Sequence, residues 1–375
     1  MTGIVRATAV WFFSAVSPCA YLKWFLTVWF ALLFVWAAVV WWFDPYLCFH
    51  RAWGLKQVYS SSYAMIPGML RNLDYDTVLI GSSMCKNFNI SDLNAVAGGH
   101  AIKATSAGQT GEDVEKILHI LLKEKAGREL KHLIIGVDLW AFAKGEGVGH
   151  WRNYAYLYYR RVSWEYFFSA DTLEAIGNCI VTNLASSEVE GAEKEKDFDR
   201  MFGDKVWRFK YSQATMEARI RRVDECPVAA KPETTGYLER FLLEPLAGHD
   251  RLRVDIIFPP YSVYFWSMLL ATGKLDGYLA RREEFARAVE RRCPFVRIHD
   301  FQSDESIICD LDNYKDVNHF SPKINVLILK CVRSGSHVSG SGRIAENNRT
   351  LRRLAETYLP RYRALVRDRR PGGKK

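Results

Sequence analysis

The strongest hydropathy signal lies near the amino terminus. Residues 24–43, WFLTVWFALLFVWAAVVWWF, carry no charge, and Thr27 is their sole polar side chain. About 20 apolar residues are what a helix needs to cross the hydrocarbon of a bilayer. Trp24 at one end and Trp41-Trp42 at the other stand where interfacial aromatic belts fall. The pattern predicts a membrane anchor over 21–43, with the lipid bilayer as its partner. No small-residue cleavage site follows the apolar core, so an uncleaved anchor fits better than a removed signal peptide. Residues 1–20 hold a shorter apolar run, expected to lie in the interface. Arg6 and Lys23 precede the span and Arg51 and Lys56 follow it, so charge alone does not orient it.

Beyond the anchor the pattern changes to short apolar runs alternating with helical periodicity. Residues 44–74 begin with the turn Asp44-Pro45-Tyr46 and read as a polar, irregular connection. Buried strands are predicted at 77–81, 102–105 and 132–137, then at 253–258 and 295–299. Helical segments lie between them. The clearest starts after Thr110, a good N-cap with Asp113 three residues on, and places Val114, Ile117, Leu118, Leu121 and Leu122 on one face. Further helices are expected over 275–292 and 323–331. Strand and helix in alternation predict an α/β domain over 75–333, a parallel sheet with right-handed crossovers. Residues 140–250 break the rhythm and read as a mainly helical insertion. Residues 334–342 read as a Gly/Ser linker and 344–367 as a basic amphipathic helix.

Composition narrows the picture a little. Net charge is +9 over 375 residues, with no concentrated basic face or fold motif to suggest nucleic-acid binding. None of the eight cysteines forms a CxxC pair, which gives no support to a zinc or thioredoxin-type site. One disulfide is conceivable outside the cytoplasm, but spacing cannot choose its pair. No metal or organic cofactor is called for.

The candidate chemistry gathers at strand ends. Residues 77–81 close on Gly81-Ser82-Ser83, a turn expected to present a hydroxyl at a helix start. Ser83 is the candidate nucleophile; the plainer reading of both serines is helix capping. A serine needs a base, and the base needs an orienting acid. Asp316-Val317-Asn318-His319 can supply both, with Asp316 on one ring nitrogen of His319 and Ser83 at the other. After the second strand, Ser106-Ala107-Gly108 offers a glycine N–H to a developing oxyanion, joined by the N–H of Ser83. Cys85 lies close by but lacks a base of its own. Glu112 and Asp113 read as first-turn acids suited to the helix dipole. The Gly-x-Ser-x-Gly elbow of α/β-hydrolases is absent.

In this order the blocks resemble those of the SGNH/GDSL hydrolase superfamily. Gly81-Ser82-Ser83 stands for its Gly-Asp-Ser block, Gly108 for the second-block glycine, and Asp316 with His319 for the last block. The third block departs: Gly136-Val137-Asp138 puts an acid where the family carries an oxyanion asparagine. The chain looks most similar to the membrane-anchored branch, the DltD-like and AlgJ/AlgX-like envelope proteins. That resemblance implies a flavodoxin-like fold and a catalytic domain on the periplasmic side of a bacterial inner membrane. It also implies ester chemistry on an envelope polysaccharide, alongside a membrane acyltransferase. A catalytically inactive envelope scaffold of the same fold is the alternative that the third block leaves open.

Overall fold

The computed structural model describes residues 17–50, 55–124, 130–138, 149–159, 164–184, 198–204, 209–222 and 236–368. Its centre is a five-stranded sheet of β1 (Thr77–Gly81), β2 (Ala101–Thr105), β3 (His132–Gly136), β4 (Arg253–Phe258) and β5 (Arg297–Asp300). All neighbours pair in parallel, in the order β2-β1-β3-β4-β5. The strands are buried almost throughout, as expected when helices cover both faces and leave no solvated side for polar alternation. The chain runs outward from β1 to β2, then returns across β1 to β3. Open α/β sheets bind ligands at such a reversal, beyond the carboxyl ends of the strands.

Helix α1 (Pro18–Phe43) is long and apolar enough to cross a membrane. It begins just after the Ser17 cap, three residues before the predicted start of the anchor, while residues 1–16 lie outside the described ones. Its exit is pinned. Asp44 adopts a left-handed conformation and is buried. Its carboxylate accepts the N–H groups of Cys48, Phe49 and His50 and the hydroxyl of Tyr166.

The connection that follows is not irregular throughout. It contains α2 (Ser62–Asn72), obscured in the sequence by Pro67 and Gly68 inside the helix. Gly68 is needed there because the carbonyls of Tyr46 and Leu47 occupy the space of a Cβ. Helices α3 (Ile90–Ala97) and α4 (Gly111–His119) complete the first crossovers, α4 with the Thr110–Asp113 capping box. Glu112 and Asp113 are buried rather than solvated. Glu112 pairs with Arg152 and Asp113 accepts the Trp151 N–H, joining the insertion to α4.

In the insertion, the described residues form short helices, among them α5 (Trp164–Phe168), α6 (Ala170–Leu184) and α7 (Gln213–Arg222). The charged run 188–200 falls largely outside the described residues. After β4 comes α8 (Val263–Ala271), which sequence periodicity missed because it is buried all round and has no polar face. Helices α9 (Leu275–Arg292) and α10 (Pro322–Ser334) follow.

The carboxy-terminal segment differs from the linker-and-arm expectation. Ser339 N–H bonds to Ile298 O, Asp300 N–H to His337 O, and Val338 bridges His299, so this segment pairs along β5. Helix α11 (Ser341–Arg367) then packs on α8 and α9, burying Ile344, Leu351, Leu354 and Ala355. A buried Arg282–Asp300 ion pair at 2.6 Å, with Asn347 and Asn348 bonded to it, locks the contact. The described cysteines are all free thiols, and Cys226 lies outside the described residues.

Candidate active site

Ser82 to Asn87 form a turn, and α3 starts only at Ile90. Ser83 therefore does not open a helix, contrary to the sequence reading, and its N–H lies within the turn instead. Three side chains from separate elements hold this turn. Lys103 of β2, almost wholly buried, donates to Lys86 O, Phe88 O and Gly203 O at 3.2, 2.8 and 3.1 Å. Asn325 of α10 donates to Asn87 O at 2.6 Å. Ser82 Oγ donates to Asp138 and accepts the Met84 N–H.

Asp138 thus engages the first serine of the pair. Its carboxylate helps fix the turn.

Cys85 points away from the candidate site. Its thiol fills the space left by the missing side chains of Gly81 and Gly136, between the ends of β1 and β3. Burial first, and the charge of Asp138 second, push its pKa far above the ordinary thiol value. A neutral, enclosed thiol is a poor nucleophile.

Residues 314–320 form a loop closed by a Tyr314–Phe320 bridge and tied to the end of β4 by Ser262, whose N–H and hydroxyl both reach Val317 O. This loop brings a histidine to Ser83 from 236 residues away. His319 Nε2 lies 3.0 Å from Ser83 Oγ. His319 Nδ1 lies 2.9 Å from both carboxylate oxygens of Asp316. Asp316 also accepts the N–H groups of Asn318 and His319, at 2.9 and 2.7 Å. Burial pushes its carboxyl up, but the His319 ring, the charge of that ring and the two amides outweigh this and hold it at about 2. Asp316 is ionised at neutral pH. It therefore accepts the hydrogen bond of Nδ1–H and leaves Nε2 as the acceptor for the serine hydroxyl.

The register Gly81–Thr105 sets the loop after β2 beside Ser82 and Ser83, and Ser106 N–H bonds to Gly81 O. In that loop Gly108 has φ 68°, a left-handed conformation that glycine adopts without strain. Tyr63 anchors the loop through Ala107 O.

Ser83 and His319 open into a cavity of about 150 Å³. Met84, Phe209, Tyr211 and Phe320 make much of its wall, and Lys86 and Lys315 bring positive charge to it. Burial lowers the Lys86 ammonium to about 8. Lys315 Nζ sits 3.5 Å from the centroid of the Phe209 ring, within cation–π range. Sequence reading named Ser83, Asp316 and His319, which the fold brings together, but missed this wall. Lys86 and Lys315 were adjacent to motifs already singled out and could have been flagged. Phe209 and Tyr211 carried no signal, because only the folding of the insertion brings them over β1.

Ser83, Asp316, His319 and the Gly108 loop are brought to one end of the sheet, and Asp138 is placed behind Ser82. Among the described residues no group of three His, Cys, Asp or Glu side chains is arranged to hold a metal ion. The histidines left without a role in the sequence include His132 and His299, which both bond the buried Asp255 at 2.7 and 2.8 Å. No family model, curated protein or solved structure matches the chain.

Proposed function

We propose that the protein is a membrane-anchored serine esterase or O-acyltransferase acting on acyl esters of a cell-envelope glycan or related polymer. The observation that carries this reading is the Ser83–His319–Asp316 relay beside a mainly apolar cavity. In the mechanism, His319 Nε2 takes the proton of Ser83 as Oγ attacks the ester carbonyl. On this reading the backbone N–H groups of Ser83 and Gly108 are the oxyanion donors. Collapse of the tetrahedral species expels the alcohol, which leaves with the proton from His319. Water or a sugar hydroxyl then attacks the acyl-enzyme, again with His319 as base, and Ser83 recovers its proton. Asp316 keeps the imidazole in one tautomer and offsets the charge it gains.

The parallel order β2-β1-β3-β4-β5 fits a flavodoxin-like, SGNH-type domain, and the motif order supports the same family. The periplasmic side of an inner membrane, an envelope polysaccharide as substrate and a membrane acyltransferase as partner follow from that resemblance. A cavity of about 150 Å³ suits a short acyl group. Its two lysines suit a substrate with negative charge near the ester.

The alternative of an inactive scaffold draws on one observation. The third-block position supplies a carboxylate bound to Ser82, where an amide would add an oxyanion donor. A fluorophosphonate probe separates the two readings. Purified full chain in detergent is expected to label stoichiometrically, with labelling abolished in Ser83→Ala and retained in Cys85→Ser. A folded sample that does not label sinks the serine mechanism and favours the scaffold.

A further inference from the structure

Helix α6 presents three different sectors to its surroundings. At about 100° per residue, Thr172, Ala175, Ile176 and Cys179 share one sector and are buried in the domain. Asp171, Glu174 and Asn178 share the next. Leu173, Ile180, Val181 and Leu184 share the third, and their exposures run from 36% to 76%. Gly177 lies in that same sector and faces open space. Among the described residues, these four large aliphatic side chains stay uncovered on one face of a folded helix.

The surroundings of this face point to its occupant. Helices α5 and α6 both pack against α1, and Trp36 of α1 donates its indole N–H to Phe167 O at 2.7 Å. On α5, Trp164 stacks on Phe168 with ring centroids 6.0 Å apart, and both are exposed. Aromatic residues of this kind gather at the headgroup level of membranes. The length of α1 sets the level. Its 26 residues span about 39 Å at roughly 1.5 Å per residue, against about 30 Å of hydrocarbon. Trp36 precedes the end of α1 by seven residues, or about 10 Å. Its contact with α5 therefore falls in the last two turns of the span, on the side of the domain. The exposed apolar face of α6 belongs to a helix that itself packs against the largely exposed, apolar α1.

We infer that α5 and α6 are a second membrane contact, an interfacial helix pair whose apolar face enters the headgroup and acyl boundary beside the span. The occupant is lipid, and α6 has no Lys or Arg, so attachment rests on apolar area and on the tether through α1. Anionic lipid is not required. The domain is then held against the bilayer at two places, with a fixed tilt, rather than swinging on a single helix. This inference does not depend on the chemistry at Ser83.

Photocrosslinking from the surface itself tests it. The full chain is reconstituted in nanodiscs of phosphatidylcholine alone. p-Benzoylphenylalanine replaces Leu173 or Val181 in turn, with Val35 of α1 as the lipid-facing reference and Glu356 of α11 as the solvent-facing one. Leu173 and Val181 are exposed, so the substitutions leave the packing intact, and two sites guard against one failing to fold. Intact-mass analysis after irradiation is expected to give phospholipid adducts at 173 and 181 at levels within about threefold of those at 35, with none at 356. Two results overturn the inference: sites 173 and 181 behaving like 356 while 35 takes lipid, or their crosslinks forming a dimer of the chain, which would make the face a contact between copies.

Discussion

The sheet holds two histidine–carboxylate arrangements, and they differ in what surrounds them. At Asp255 the carboxylate accepts from His132, His299, Arg253 and Arg297 at 2.7–2.9 Å. Asp255 and His299 are completely buried. Burial works against this charge, but the two imidazoles and Arg297 outweigh it and hold the acid well below the ordinary carboxylate range. His299 Nδ1 is also engaged, to Ser336 O. At Asp316 the carboxylate accepts from one imidazole and two amides, and the free side of that imidazole meets a serine hydroxyl on a cavity. The same residue types make a structural clamp in one place and a candidate relay in the other. What separates them is an acceptor nitrogen directed at an accessible hydroxyl.

Substitution should break this contrast unevenly. The largest effect is expected for Asp316→Asn, which removes the partner that sets the tautomer of His319. On the proposed mechanism, turnover of a chromogenic ester falls about 1,000- to 10,000-fold, or about 4–5.5 kcal/mol in the barrier. A loss below tenfold would show that Asp316 does not orient the base. Asp255→Asn should do the opposite. It leaves the buried donors of His132 and His299 with a weaker acceptor and costs about 1–3 kcal/mol of stability, seen in urea unfolding, while the folded fraction keeps its probe labelling. Loss of labelling in fully folded Asp255→Asn would erase the distinction drawn here.

Acid should sharpen the comparison at a smaller scale. The Asp316 carboxyl lies at about 2 in the fold against an ordinary value of 3.8. Its folded value is depressed, so its stabilisation is fully present above pH 3.8 and is lost as the pH falls toward 2. The amount is about 2 kcal/mol, since one unit corresponds to about 1.4 kcal/mol. The stability gap between the parent chain and Asp316→Asn should therefore narrow by about that much between pH 6 and pH 2. A gap that stays constant would mean the carboxylate is not held as its geometry implies. The smallest effect is expected for Ser82→Ala. It removes one hydrogen bond to Asp138, costing about 1 kcal/mol, and slows labelling less than tenfold. A loss as deep as that of Ser83→Ala would move the nucleophile to the wrong serine.

Much of the fold was legible because strong local signals agreed with the tertiary outcome. The strand runs, the Thr110 cap with Asp113 and the 18-residue α9 all express patterns that burial then uses. Two helices were not legible, for opposite reasons. Residues 62–72 carry Pro67 and Gly68, which argue against a helix locally but suit one pressed against the carbonyls of Tyr46 and Leu47. Residues 263–271 are apolar all round and show no period. The carboxy-terminal helix was legible as a helix but not as part of the core. Its apolar positions read the same whether they face solvent, membrane or α8.

By itself, the sequence determined the kinds of parts: an apolar span of bilayer length, alternating strands and helices, and a serine, a histidine and an acid in short motifs. Those are properties of local composition and spacing, and local physics suffices for them. Motif order already singled out Ser83 over Ser82 and Cys85, but only the tertiary structure brings it to 3.0 Å from His319. A turn of six residues presents three reactive side chains, and their directions depend on Lys103, Asn325 and Asp138 from distant elements. It also decided that Asp138 holds the turn, that Phe209 and Tyr211 wall the cavity, and that one face of α6 stays uncovered beside the span. Each of these is a relation between segments far apart in the chain, and side-chain packing settles them where local preference is silent.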